Sequence, residues 1–160
     1  MNLTITMNQY NKDYVILSDK IKNNIMNNGD FFRIYFSNEF VTSNGIFINF
    51  NLENIIIEKY FNKIKCNFVE TPININIINE IKKLERNLLD KFDYINIKPV
   101  YRIDEQLSNQ YIKLFDDKNF TLGKYVNLKF LLKISGIWSS NNDYGLTFRF
   151  FIVGITNKSY

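Results

Sequence analysis

A strict alternation of apolar and polar residues near the C-terminus constrains the fold more than any other feature. In an extended chain, the side chains of residues 126–135 would alternate between two faces. The apolar face has Val126, Leu128, Phe130, Leu132 and Ile134, and the opposite, mostly polar face has Asn127, Lys129, Leu131, Lys133 and Ser135. A period of two over ten residues predicts a β-strand with one buried face. Gly136 is expected to bulge or break this strand. Residues 146–153 repeat the alternation, so the two segments are predicted to pair as a hairpin with an extended tip.

The hydrophobic period changes to that of a helix in the middle of the chain. Apolar residues recur there at steps of three and four: Ile77, Ile81, Leu84, Leu88 and Phe92. This spacing predicts one amphipathic helix at about 76–92, which Asn74 or Asn76 would cap. Its charged residues, Glu85 among them, are expected to face solvent.

Shorter strands account for most of the remaining chain. Aromatic and β-branched segments bounded by turn residues predict strands at 31–36, 55–61, 64–69 and 111–115. Asn44-Gly45 predicts a type I′ hairpin between residues 40–42 and 46–50. Residues 1–14 are read as an N-terminal arm or an edge strand. Together these elements predict a single α+β, β-rich domain over residues 1–160: an antiparallel sheet or a partly open OB-like barrel with one packed amphipathic helix.

The composition excludes several kinds of chemistry. The 160 residues include no His and only one Cys, Cys66. Catalysis by Ser-His-Asp or Cys-His, His-ligated metals and an internal disulfide are therefore excluded. Asp116 and Asp117 are adjacent acids that a weak Mg²⁺ site would require, and otherwise belong to a turn at 116–119. We therefore expect no enzymatic activity, no cofactor and no metal.

Residue usage points to an origin and a compartment. Asn occurs 25 times, Lys outnumbers Arg 16 to 4, and Ala is absent, which indicates an AT-rich genome such as that of a large DNA virus, a protozoan or a small-genome bacterium. No apolar segment reaches the roughly 18 residues of a membrane span. Residues 1–14 lack the pattern of a signal peptide, and the lone Cys fits a reducing compartment. We expect a protein that is not secreted and does not enter membranes, located in the host cytoplasm, a virus factory or the virion.

The outward face of the C-terminal hairpin is the candidate functional surface. If the apolar alternation faces the core, then Lys129, Lys133, Arg149 and Phe151 share the opposite face, with Trp138 near its end. The chain is basic, with a net charge of +4 and a pI of about 9.0. Cations neutralise phosphates and aromatic rings stack on bases, so this pattern is typical of a single-stranded nucleic-acid platform. The alternative is an ordinary solvated strand whose Trp138 and Phe151 are covered by a helix.

One segment carries a resemblance to a known group of proteins. Ile134-Ser135-Gly136-Ile137-Trp138, followed after a polar loop by Gly145-Leu146-Thr147-Phe148-Arg149-Phe150, resembles the C-terminal region of small, mostly uncharacterised β-rich proteins of nucleocytoplasmic large DNA viruses. Such viruses also encode OB-like single-stranded DNA-binding proteins, and the resemblance implies that fold and function.

Two functions are therefore expected. The first is non-enzymatic binding of nucleic acid, single-stranded DNA above all, by the hairpin face. The alternative is a virion structural protein, a minor capsid or cement component, that acts through aromatic-rich interfaces with protein partners or other copies of itself.

Overall fold

Three long strands dominate the structure, a computed structural model that describes residues 4–23, 29–92, 96–114 and 120–158. About 57% of the chain is strand, which confirms the β-rich α+β class. The strands are β1 (Thr4–Thr6), β2 (Val15–Leu17), β3 (Ile21–Asn23), β4 (Gly29–Ser37), β5 (Thr42–Asn44), β6 (Ile46–Tyr60), β7 (Lys63–Phe68), β8 (Lys98–Val100), β9 (Tyr111–Lys113), β10 (Gly123–Ser139) and β11 (Asp143–Lys158). The helices are α1 (Pro72–Asp90) and α2 (Arg102–Ser108), and two 3₁₀ turns cover Met7–Gln9 and Lys12–Tyr14.

Strand β10 lies at the centre of the sheet. It pairs antiparallel with β11 on one side, and with β6 and then β4 on the other. The predicted hairpin is confirmed, and a register shift between Ile134 and Gly136 marks the expected bulge. Strand β7 pairs antiparallel with β6, and β9 with β7. A single parallel bridge between Leu114 and Phe150 brings the end of β9 beside β11. The sheet is mostly antiparallel; β1 with β6 and β8 with β11 are parallel pairs.

The Asn44-Gly45 turn differs from the prediction. A type I′ turn needs positive φ at both central residues, and of these two only Gly45 has it, at 109°. Strand β5 pairs with β4 instead of with β6. Gly45 turns the chain sharply into β6, where a Cβ would lie 2.9 Å from the carbonyl oxygen of Ile134. The two segments predicted at 46–50 and 55–61 form one strand of 15 residues.

Helix α1 confirms the predicted amphipathic helix with an earlier start and end. Thr71 caps it by accepting a hydrogen bond from the Asn74 N–H, and Pro72 occupies the first turn, where its missing N–H costs nothing. The buried face consists mainly of Ile78, Ile81, Leu84, Leu88 and Leu89 and packs in the core. Asn74 does not cap the helix. It is buried, accepts from the Glu53 N–H and donates to the carbonyls of Glu53 and Val69.

Glu85 contradicts the expectation of a solvated helix face. Its side chain is fully buried, and its two carboxylate oxygens accept hydrogen bonds of 2.9 Å from the backbone N–H groups of Ile103 and Asp104. These are free donors of the first turn of α2, so Glu85 serves as a cap supplied by another helix. Burial raises the pKa of Glu85 above its usual value, and the two backbone hydrogen bonds oppose that rise.

Within the described residues, neither helix is long and apolar enough to cross a membrane.

Candidate functional site

The cross-strand register brings part of the predicted hairpin face together. Lys133 lies opposite Arg149, and Leu131 lies opposite Phe151. The alternate residues Leu132, Ile134 and Phe150 belong to the core, so the predicted set points away from it. Lys133 and Phe151 are half-buried and line a cavity of about 360 Å³, where the Lys133 ammonium lies 5.7 Å from the centroid of the Phe47 ring.

Lys129 lies apart from this group. It is exposed, opposite Gly154 on β11 and Asn51 on β6, and does not line the cavity that Lys133 and Phe151 share. Lys129 is therefore an ordinary solvated lysine in this structure and a useful control position.

The burial of Trp138 differs from the expectation of an open aromatic surface on which bases could stack. Trp138 is only 8% exposed, although it does not belong to the core cluster. The guanidinium carbon of Arg102, on α2, lies 4.7 Å from the centroid of the indole ring. Gly145, opposite Trp138 on β11, allows a close approach, since a Cβ there would lie 2.9 Å from Cζ2 of the indole. The indole is thus covered by Arg102 of α2, which agrees with the alternative of a Trp138 that a helix covers.

Trp138 and Arg149 line a larger cavity, of about 620 Å³, between the ends of β7 and β9 and strand β11. A second cavity, of about 310 Å³, adjoins it at the β6–β7 turn and shares Asn62, Lys63, Ile64 and Lys113 with it. We call the two together the cationic groove. It is lined by residues 60–65, 113–114 and 146–150 with Arg102, Gln106 and Trp138.

The described charged residues that line the cationic groove all have one sign. Among its described lining residues are five cations, Lys63, Lys65, Arg102, Lys113 and Arg149, and no carboxylate. The ion pairs between described residues involve Lys20, Lys82 and Arg86. Four of the groove cations therefore form no ion pair with a described residue: Lys63, Lys65, Arg102 and Lys113. Glu58, opposite Lys65 in the β6–β7 pairing, borders the groove and accepts a hydrogen bond from Asn67. The groove is therefore a concave surface of positive potential.

Two aromatic rings, Tyr60 on β6 and Tyr111 on β9, lie close to these cations. The Lys65 ammonium lies 4.6 Å from the centroid of the Tyr111 ring and 5.3 Å from that of Tyr60. Lys113 lies opposite Lys65, and its ammonium is 5.9 Å from the centroid of the same Tyr111 ring. Such contacts hold the lysines over the ring faces without neutralising them.

Phe61 has an unusual conformation at the tip of the β6–β7 turn. Its φ is 55°, a region that bulky residues rarely adopt, and its side chain is 85% exposed. Backbone strain of this kind concentrates at functional positions, because the surrounding structure must maintain it. The turn therefore presents an aromatic ring to solvent at the rim of the groove.

Sequence reasoning missed most of these residues. The available signal was the alternation Lys63-Ile64-Lys65 and Tyr111-Ile112-Lys113, in which a buried Ile separates two outward residues. Each triplet alone is too short to be informative, and only the pairing of β7 with β9 unites them.

No cluster of three or more potential metal ligands lies among the described residues. Asp116, Asp117 and the turn predicted at 116–119 lie outside them. Cys66 is buried, and burial raises the pKa of its thiol to about 12.

Comparison with known proteins gives no relative. No protein-family model matches the chain, and no curated protein or solved structure is significantly similar to it.

Proposed function

We propose that this protein binds single-stranded nucleic acid, with single-stranded DNA as the first candidate, along the cationic groove and without catalysing a reaction. The observation that carries the proposal is the convergence of five cations from β7, α2, β9 and β11 on one concave surface. No carboxylate joins these cations among the described lining residues, although the chain contains 16 acidic residues to 20 basic ones.

The groove combines the two kinds of contact that a single strand requires. Lys63 and Lys113 are exposed and positioned to neutralise backbone phosphates. The exposed ring of Phe61, at the rim of the groove, offers a face to an unpaired base, and each stacked base contributes about 1–3 kcal/mol. The proposal keeps Arg149 and Trp138 from the predicted hairpin site and moves the main contact surface from Lys129 to β7 and β9.

Strand connectivity supports the same function. Pairing runs from β6 to β7 to β9, across the Leu114–Phe150 bridge to β11, then to β10 and back to β6. Five strands in this order, weakly joined at one seam, are consistent with a partly open OB-like barrel. OB-folds bind oligonucleotides on the face of their second and third strands and at the first hairpin turn. Here those elements are β7, β9 and the turn that presents Phe61.

The test is fluorescence anisotropy with a labelled oligothymidine, comparing Lys63→Ala/Lys113→Ala with Lys129→Ala. At low salt the double variant should bind about tenfold more weakly or worse, since two phosphate contacts are lost. Lys129→Ala should stay within about twofold of the wild type, because Lys129 is outside the groove. Failure of the wild-type protein to bind at low salt, or an equal loss in Lys129→Ala, would refute the proposal.

A structural role in assembly is the second candidate, and one observation favours it. Large apolar side chains are exposed away from the groove: Ile16, Phe40, Val41, Leu122, Val153 and Ile155. Phe40 is 85% exposed in the turn between β4 and β5. Sedimentation velocity distinguishes the two functions: a defined oligomer that does not bind oligonucleotide supports assembly, whereas a monomer that binds it supports the first proposal.

A further inference from the structure

The turn between β4 and β5 presents an aromatic ring to solvent on a hydrogen-bonded backbone. Phe40 is 85% exposed there and follows Glu39, which is also exposed. The Asn38 side chain accepts hydrogen bonds of 2.9 Å from the N–H groups of Phe40 and Val41, and the Asn38 N–H donates to the Val41 carbonyl. A ring held outside the core on such a turn loses little freedom when a partner covers it, which suits it to anchor an interface.

The cavity at the outer face of the β10–β11 hairpin has complementary properties. Its volume is about 360 Å³, and its described lining consists of seven apolar residues, Phe47, Leu131 and Phe151 among them, and one cation, Lys133. Lys133 is half-buried and forms no ion pair with a described residue. The volume is that of the smaller pockets that hold organic ligands, so an aromatic ring fits. The lining favours an apolar group with a negative charge beside it.

Both halves of such a contact lie on this one chain, which identifies a second copy as the occupant. Phe40 does not fill the cavity of its own chain, because it is 85% exposed. An apolar projection that complements a pocket elsewhere on the same molecule produces contacts between copies. The charges are also complementary, since Glu39 precedes the exposed ring and Lys133 is the cation among the described lining residues.

We infer that Phe40 of one copy inserts into this cavity of a second copy, where Glu39 forms an ion pair with Lys133. The inference goes beyond strand binding, because the contact uses none of the groove cations. Among the described lining residues, Leu114 alone belongs both to this cavity and to the cationic groove. Contact between copies is compatible with strand binding, which is commonly cooperative along a single strand.

Sedimentation velocity over a range of protein concentrations tests the association. We expect the wild type to associate at about 100 µM, since one inserted ring and one ion pair make a small contact. Phe40→Ser should stay monomeric over the same range. Phe61→Ser is the matched control, because Phe61 is equally exposed but lies at the β6–β7 turn, and it should associate like the wild type. A monomeric wild type, or undiminished association in Phe40→Ser, overturns the inference.

Exchange of the two charges tests whether the ring enters this particular cavity. Glu39→Lys and Lys133→Glu should each weaken association about tenfold or more, because like charges then meet at the contact. An equimolar mixture of the two variants should associate about as strongly as the wild type, since each turn then meets a cavity of opposite charge. A mixture that associates no better than its components contradicts the inference. Urea denaturation of each variant verifies that it is folded.

Anisotropy with oligothymidine separates this inference from the proposed function. At concentrations where the protein is monomeric, Phe40→Ser should bind the strand with wild-type affinity. Lys63→Ala/Lys113→Ala should bind it more weakly and associate normally. Association without strand binding refutes the proposed function alone, and strand binding without association refutes this inference alone.

Discussion

At the scale of single residues, two buried polar side chains fix the positions of the helices relative to the sheet that carries the cationic groove. Asn74 joins the start of α1 to the backbone of Glu53 on β6 and to Val69. Glu85 joins the middle of α1 to the start of α2. Because buried donors and acceptors are costly when unpaired, these bonds specify where the helices lie on the sheet. Arg102 reaches Trp138 as a consequence.

The raised pKa of Glu85 predicts the sign with which the free energy of unfolding depends on pH. In the window between the unfolded and folded pKa values, the folded protein holds more protons than the unfolded one. The contribution of Glu85 to the free energy of unfolding therefore falls as the pH rises through that window. We expect the unfolding free energy of the wild type minus that of Glu85→Gln to decrease from acid towards neutral pH, measured by urea denaturation.

Neighbouring Asp104 provides an internal check on this sign. Its pKa is lowered, because hydrogen bonds from Ser108 and Arg86 and the charge of Lys82 outweigh the desolvation that raises it. Its contribution has the opposite sign and is present in both proteins, so it cancels in the difference except for its electrostatic coupling to Glu85. A difference that is constant or grows with pH would contradict the prediction.

At the scale of elements, the close pairing of β4 with β10 depends on Gly136. A Cβ at this position would lie 2.3 Å from the carbonyl oxygen of Phe32 and 2.5 Å from the Phe31 ring. We expect Gly136→Ala to destabilise the protein by about 2 kcal/mol or more, since neither the paired backbone nor the packed ring has room to move. Urea denaturation measures the change.

Gly154 provides the matched control in the same hairpin. A Cβ there meets only the Cβ of Lys129, at an ordinary 3.6 Å. Gly154→Ala should therefore leave the unfolding free energy within about 0.5 kcal/mol of the wild type. Equal effects of the two substitutions would show that crowding at residue 136 does not determine the result.

Elements with a hydrophobic period among consecutive residues could be predicted from the sequence. Elements whose place depends on pairing with a distant segment of the chain could not. Residues 126–135 specify β10 because alternation is a property of consecutive residues. The Asn44-Gly45 turn was misread because β5 finds its partner in β4, which no local pattern encodes. The site divides in the same way. Trp138 and Arg149 were predicted through one hairpin, whereas Lys65 and Lys113 meet through pairing across 48 residues of chain.

Charge distribution, rather than net charge, determines the proposed binding at the scale of the whole molecule. A net charge of +4 is modest, and Lys-rich composition alone explains it. Composition does not explain why five cations line one groove without a described carboxylate. Their potentials add at the place where a nucleic-acid strand would lie. The consequence is a specific dependence of affinity on salt.

The salt dependence can be predicted from the number of cations in the groove. For single strands the slope of log K against log salt is about −0.7 for each phosphate neutralised. If all five cations engage, the slope for oligothymidine should be about −3.5, and Lys63→Ala/Lys113→Ala should reduce it to about −2.1. Anisotropy titrations over a range of salt concentrations measure both values. Lys129→Ala should retain the wild-type slope, since a lysine outside the groove releases no counterion on binding; a lower slope in this variant would place the strand on the hairpin face instead.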